Sequence, residues 1–254
     1  GSKCPDYPPG KHRLFTLYSP HFCTMLETSI LTQVRGIFQQ LEARYTFHIV
    51  YNPSHPQAQE MLDFLADVAS CSDKLSCQPE TTGEPRLEFS LLKEGRKTGI
   101  CFRGIPNGHE FSSLLLAVLN ADGKGKNLPD ESLQRRISAL NGSLHLQTYV
   151  SLTCTNCPDV VQALNLLALN HAQITHEMTD GALFPDEVER LNIQAVPSVY
   201  ANGELLHVGR GDLGELLTKL EEKFGSTPQA DAAPVNRTYD VLVLGGGPAG
   251  SAAA

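Results

Sequence analysis

The apolar and polar positions of residues 143–224 follow patterns that predict a compact α/β unit. A strand is indicated by side chains at every second position that share one face: Leu144, Leu146, Thr148 and Val150. A helix follows from Pro158, since proline is favoured in the first helical turn, where its missing N–H is no loss. The apolar stripe of that helix consists of Val160, Val161, Leu164, Leu167 and Ala168.

The remainder of this stretch completes an ordered set of elements. The pattern predicts a strand near 174–178, a short helix near 186–191, a strand from Val196, a return strand over 204–208 and a closing helix over 213–220. The last two strands are joined at Asn202-Gly203, a dipeptide typical of two-residue hairpins. The resulting order, βαβαββα, is that of the thioredoxin fold.

Residues 24–142 repeat this order more faintly. The pattern predicts a leading helix over 24–41, a strand over 45–51, a helix over 57–69, a short strand over 74–78, a hairpin of 87–92 with 101–103, and a final helix over 110–119. We therefore predict an α/β protein with two tandem thioredoxin-like folds, residues 24–142 and 143–224. Only the second carries a redox CxxC, because the matching position of the first reads Asn52-Pro53-Ser54-His55-Pro56.

A glycine-rich segment follows the two predicted units. Residues 225–238 have the composition of a linker, and the buried-strand pattern of 239–244 leads directly into Gly245, Gly247 and Gly250. Glycines at this spacing after a strand are the fingerprint of dinucleotide binding. Since four residues follow Gly250, we expect residues 239–254 to be the truncated start of a flavin- or nicotinamide-binding domain of a longer parent. The fingerprint cannot function in this fragment.

Charge and cysteine content narrow the class of protein. The net charge of −8 argues against a nucleic-acid partner and against an anionic membrane surface, since both are bound by clustered Lys and Arg. No apolar run approaches the roughly 20 residues that a membrane span needs. Seven cysteines without a secretory signal do not suggest a secreted disulfide framework, so we expect a cytoplasmic protein with mostly free thiols.

The cysteine pair with two intervening residues, Cys154-Thr155-Asn156-Cys157, is the candidate for chemistry. Disulfide exchange needs one thiolate that attacks and a second thiol that resolves the mixed disulfide. At a helix start, unpaired N–H groups and the helix dipole lower a thiol pKa below about 8.5. We therefore predict that Cys154 is the nucleophile and that Cys157, one turn further in, is the resolving thiol.

Pro197 strengthens this interpretation. Val196-Pro197 opens a predicted strand, and in thioredoxin-like proteins a proline at this place is cis, faces the dithiol and leaves backbone free to pair with an incoming peptide. The alternative reading of CxxC is half of a zinc site. No second cysteine or histidine pair has the spacing to complete one, so no metal is predicted.

Several motifs together resemble the flavoprotein family of bacterial alkyl hydroperoxide reductase, its F component. The resemblance lies in residues 152–165 around the dithiol, residues 108–114, residues 196–199 and residues 240–250, which match in order and spacing. It covers the chain from about residue 24 to the end. It implies two N-terminal thioredoxin folds, in agreement with the tandem pattern.

The family also implies an electron relay. Electrons would pass from NADH to FAD and a dithiol in the C-terminal flavoprotein part of the parent, then to Cys154 and Cys157, and finally to the disulfide of a two-cysteine peroxiredoxin, the C component of alkyl hydroperoxide reductase. FAD and NADH are expected in the parent and not on this fragment. Glu110 would approach the dithiol and shuttle a proton to the resolving thiol; the alternative is an exposed acid in the first turn of a helix.

Two other functions remain open. The chain could be a free-standing general protein-disulfide reductase of the glutaredoxin or isomerase type, although a severed nucleotide-binding motif would not end such a protein. It could also be a docking module whose surface matters more than its dithiol, which replacement of Cys154 by serine would reveal. The family's flavoproteins are usually dimers through the C-terminal part, so the fragment is expected to be a monomer.

Overall fold

The computed structural model describes residues 26–227 and contains one mixed eight-stranded sheet with seven α-helices in that range. The first half comprises α1 (Thr28–Phe38), β1 (Tyr45–Tyr51), α2 (Ala58–Ala69), β2 (Leu75–Thr81), β3 (Leu87–Lys93), β4 (Arg96–Arg103), a 3₁₀ turn (Gly108–Glu110) and α3 (Phe111–Ala121). The second half comprises α4 (Glu131–Ala139), β5 (Leu144–Val150), α5 (Cys157–Asn170), β6 (Ile174–Asp180), a 3₁₀ turn (Gly181–Leu183), α6 (Pro185–Arg190), β7 (Ser198–Ala201), β8 (Glu204–Val208) and α7 (Leu213–Phe224).

The strand order shows two thioredoxin-like units placed side by side. The sheet runs β2-β1-β3-β4-β6-β5-β7-β8, so each half has the same internal order. In each half the first two strands are parallel and the last two form an antiparallel hairpin. The halves are joined by parallel pairing of β4 with β6, from Ile100 opposite His176 to Arg103 opposite Thr179. The predicted fold class, two tandem thioredoxin-like folds, is confirmed.

Helix α5 lies between the two hydrophobic cores and packs against both. Cys157, Val161 and Ala168 belong to the core of the first unit, whereas Val160 and Leu164 belong to the core of the second. This helix also contacts α3 of the first unit. The residues at the start of α5, which hold the cysteine pair, therefore lie where the two units meet.

Several elements differ from the sequence predictions in extent or kind. Helix α1 is shorter than the predicted 24–41, and Glu110 ends a 3₁₀ turn instead of beginning the α-helix. Helix α4 was not predicted, because Ile137 is its one buried residue and it has no apolar stripe. The Asp130 carboxylate caps α4 by accepting a hydrogen bond from the Leu133 N–H at 2.8 Å.

Two sequence predictions fall outside residues 26–227. They are most of the linker and the glycine-rich strand with Gly245, Gly247 and Gly250. Within 26–227, no helix combines the length and apolar character that crossing a lipid bilayer requires.

Candidate active site

The cysteine pair lies at the end of β5, where the chain turns into α5. Cys154 and Cys157 form a disulfide with their Cα atoms 5.5 Å apart, a usual separation for such a bond. Cys157 is the first residue of α5, and its backbone N–H donates to Cys154 Sγ at 3.1 Å. The sulfur of Cys154 is therefore held against the free N–H groups at the positive end of the helix.

The two cysteines differ in exposure. Cys154 is partly exposed, whereas Cys157 is fully buried. A disulfide-bonded cysteine does not titrate, but once the bond is reduced the N–H contact and the helix dipole would favour a thiolate at Cys154. This asymmetry supports Cys154 as the attacking thiol and Cys157 as the resolving one.

The loop that precedes β7 lies against the dithiol. The Val196–Pro197 peptide bond is cis, and the Val196 carbonyl oxygen lies 3.9 Å from Cys154 Sγ. The loop is tied to its surroundings on both sides: Ser198 Oγ donates to the Ala195 carbonyl at 2.7 Å, and the Gly209 N–H donates to the Pro197 carbonyl at 2.8 Å. An incoming disulfide would meet this segment next to Cys154.

Glu110 reaches the same region from the first unit. The 3₁₀ turn that it ends contacts α5, and the N–H of the preceding residue, His109, donates to the Leu152 carbonyl at 3.1 Å in the dithiol loop. Gly108 makes this approach possible: its φ is +55°, and a Cβ there would lie 2.6 Å from the Leu152 oxygen. The first unit thereby brings a carboxyl group to the loop that leads into Cys154.

The environment of Glu110 is apolar and closed to solvent. The side chain is fully buried, so the alternative of an exposed acid in a first helical turn is wrong. Burial raises the pKa of Glu110 to about 7, and the Ser113 hydroxyl, one turn along the chain, opposes this rise. Neither carboxyl oxygen has a partner with hydrogen-bond geometry within residues 26–227. A carboxyl group in this state can exchange a proton near neutral pH.

Other polar side chains near the dithiol were not singled out from the sequence. Gln162 of α5 donates through Nε2 to the hydroxyls of Ser112 and Ser113, both at 3.3 Å, and so links the two units close to Glu110. In the second unit, buried His176 contacts Thr148 and Asn165 at 2.8 and 2.7 Å. Burial lowers the pKa of His176 to about 3, so this histidine is neutral. These contacts depend on long-range packing and leave no local pattern.

The remaining thiols do not join the dithiol. Within the described range, Cys71, Cys77 and Cys101 are free, and no group of three or more His, Cys, Asp or Glu side chains comes together there as a metal site would require. Burial raises the pKa of Cys77 to about 11 and that of Cys101 to about 12. At neutral pH these thiols are therefore protonated and poor nucleophiles.

Two thioredoxin folds in one sheet, with a dithiol at the start of the helix between them, define a thioredoxin-type disulfide oxidoreductase. A thioredoxin domain family model matches residues 144–222. The F component of alkyl hydroperoxide reductase from Pseudomonas putida is 45% identical over 198 residues, which cover 78% of this chain and 38% of that protein. The same component from Staphylococcus aureus is 40% identical over 230 residues, which cover 91% and 44% respectively.

Solved structures give the same result. The NTD_N/C domain of alkylhydroperoxide reductase AhpF from Enterococcus faecalis is 31% identical, with a TM-score of 0.71 over 77% of this chain and 99% of that one. A protein disulfide oxidoreductase from Aeropyrum pernix also has a TM-score of 0.71, over 78% of this chain and 93% of that one; at 16% identity it shows the fold alone. The chain belongs to the family of the alkyl hydroperoxide reductase flavoprotein AhpF. It spans less than half the length of the curated relatives described above.

Proposed function

We propose that this chain is the electron-transfer part of a peroxiredoxin reductase. It would accept two electrons from the flavoprotein part of a longer parent and pass them to the disulfide of a two-cysteine peroxiredoxin. The observation that carries the proposal is the dithiol itself: a partly exposed Cys154, held by the Cys157 N–H, beside a buried Cys157. Membership of the family directs the exchange towards peroxide detoxification.

The exchange proceeds in two substitutions at sulfur. The reduced Cys154 thiolate attacks one sulfur of the partner disulfide, an intermolecular disulfide forms, and the first partner thiolate leaves. The Cys157 thiol then gives up its proton and attacks Cys154 Sγ, which releases the second partner thiolate and restores the intramolecular disulfide. Two electrons leave the chain. Glu110, buried beside the dithiol loop with a pKa of about 7, is proposed to receive the Cys157 proton.

The source of the electrons is also part of the proposal. We infer that the parent draws them from NADH through FAD, and the support within this sequence is the fingerprint Gly245, Gly247 and Gly250. We place the exchange in the cytoplasm, where a thiol-reducing environment fits a protein with several free cysteines.

The test is a transfer experiment with two acceptors. The chain is reduced chemically, freed of reductant and mixed either with the oxidised two-cysteine peroxiredoxin of the same organism or with insulin. We expect rapid reduction of the peroxiredoxin and slow reduction of insulin. Loss of both activities is expected in C154S, whereas C101S, which changes a thiol outside the dithiol, should behave as the wild type.

Each alternative outcome points to a different function. Reduction of insulin as fast as or faster than that of the peroxiredoxin would refute the dedicated relay and favour a general disulfide reductase. Unchanged activity in C154S would leave only a docking role. Active C154S and inactive C101S together would show that the wrong thiol had been assigned.

A further inference from the structure

Arg103, the last residue of β4, forms a half-buried ion-pair cluster with side chains of the second unit. Its guanidinium binds the Glu187 carboxylate with both ends, Nη1 to Oε2 at 2.9 Å and Nη2 to Oε1 at 2.7 Å. Nη1 also lies 3.4 Å from Glu177 Oε1, and Cζ lies 3.9 Å from the centre of the Phe184 ring. A two-pronged contact of this kind fixes both partners in orientation as well as in distance.

Further hydrogen bonds from β5 complete the cluster. The Tyr149 hydroxyl donates to Glu187 Oε2 at 2.8 Å, and Gln147 Nε2 donates to Glu177 Oε1 at 3.1 Å. The Arg103 guanidinium lowers the pKa of Glu187 and keeps this carboxylate charged. Arg103 is thus the single cation facing two carboxylates in the cluster, and it is supplied by the unit that has no redox cysteines.

Helix α6 depends on this cluster for its position. It has six residues, and none of its side chains is buried. A helix this short gains little from its own backbone hydrogen bonds, so contacts with the rest of the protein must hold it. The Glu187 carboxylate, bound by Arg103 and Tyr149, provides the strongest polar contact that the structure shows for this helix.

The segment after α6 leads to the dithiol. The first residues of this segment are fixed by α6, because the Leu191 N–H donates to the Glu187 carbonyl at 2.9 Å and the Ile193 N–H to the Val188 carbonyl at 3.0 Å. Residues 191–197 then run to Val196, whose carbonyl oxygen lies 3.9 Å from Cys154 Sγ. A continuous series of contacts therefore connects Arg103 to the segment that an incoming protein disulfide meets.

We propose that Arg103 is a positioning residue through which the redox-inactive unit holds α6 and residues 191–197 in place for docking of a protein disulfide next to Cys154. The proposal rests on the proposed thiol–disulfide exchange and assigns the first unit a part in it. Arg103 touches neither cysteine, so it acts on docking and not on the sulfur chemistry.

The test compares R103M with R136M in the 254-residue chain. Arg136 is a matched control, because its guanidinium binds Glu221 with two contacts of 2.9 and 2.7 Å but joins α4 to α7. Each pre-reduced variant is mixed in a stopped-flow instrument with increasing concentrations of oxidised peroxiredoxin or insulin. Reaction with a small aromatic disulfide, 5,5′-dithiobis(2-nitrobenzoate), reports the dithiol without protein docking.

For R103M we expect the half-saturating concentration of both protein disulfides to rise about two- to tenfold, with the limiting rate unchanged. The small disulfide should react at the wild-type rate, and R136M should match the wild type throughout. R103K, which keeps the charge but not the fork, should recover part of the loss. Hydrogen exchange at the Ile193 amide should accelerate in R103M and not in R136M.

The proposal is overturned if R103M and R136M give the same half-saturating concentrations, or if R103M slows the small disulfide as much as the protein disulfides. Failure of the wild type to reduce peroxiredoxin would instead refute the proposed partner, and the effect of Arg103 would still be measured with insulin. Should R103M not fold, Y149F removes a single hydroxyl from the same carboxylate and the same comparisons apply to it.

Discussion

Replacement of the buried Glu110 by glutamine should make the protein more stable at alkaline pH while leaving its acid stability nearly unchanged. The reason is that burial raises the pKa of Glu110 from its ordinary value of 4.5 to about 7. Between these two values the folded protein holds a proton that the unfolded chain releases. The wild type must therefore lose stability as the pH rises through this interval.

The size of the effect follows from the same two values. At about 1.4 kcal/mol for each pH unit, the interval from 4.5 to about 7 corresponds to about 3 kcal/mol. Below pH 4.5 the carboxyl group is neutral in both states and resembles the glutamine amide. Above pH 7 the folded wild type carries a buried carboxylate that has no hydrogen-bond partner in the described range, whereas E110Q does not.

The assay is urea unfolding of the oxidised proteins at pH 4.5, 6 and 8, followed by far-UV circular dichroism because the chain has no tryptophan. E222Q, which removes a charge from an exposed helical position, controls for the change in net charge. The free energy of unfolding of E110Q relative to the wild type should rise by about 2–3 kcal/mol from pH 4.5 to pH 8. A difference that stays constant over this range would refute the raised pKa and, with it, the role of Glu110 as a proton acceptor near neutral pH.

Three further experiments examine the site. C157S should accumulate a stable intermolecular disulfide between Cys154 and the peroxiredoxin, visible on non-reducing gels, because the resolving thiol is gone; its absence would mean that the other cysteine attacks first. G108A should destabilise the protein by about 1–3 kcal/mol more than G123A in thermal unfolding, since both glycines have positive φ but only Gly108 would drive a Cβ into the Leu152 carbonyl. A short pulse of iodoacetamide at pH 7 should label the reduced protein mainly at Cys154 by mass spectrometry, and equal labelling of the three free thiols would contradict their raised pKa values.

Local patterns predicted the elements of the second unit closely. The alternation at 144–150, Pro158 at the helix start and Asn202-Gly203 at the hairpin each act through neighbouring residues, and the structure has β5, α5 and β7–β8 at these places. Helix α4 was missed because Asp130 and Glu131 are ordinary start signals, but the residues behind them carry no apolar stripe.

The features that could not be predicted depend on residues far apart in the chain. Parallel pairing of β4 with β6 has no turn to announce it, so the joining of two units into one sheet has no local signal. The burial of Glu110 likewise results from packing of the first unit on α5. The ion pair of Arg103 with Glu187 joins residues 84 positions apart, and no spacing rule connects them.

The pairing between β4 and β6 also sets how far the protein can be reduced in size. A cut at residues 142–143 would sever no strand and would leave the cysteine pair on a fragment of ordinary thioredoxin length. It would nevertheless create two open β edges, at Ile100–Arg103 on one piece and at His176–Thr179 on the other. Val161 and Met178, which pack into the core of the first unit, would face water. Such edges and apolar patches recruit other chains, so the smallest soluble redox module of this protein is the pair of units and not the one that bears the cysteines.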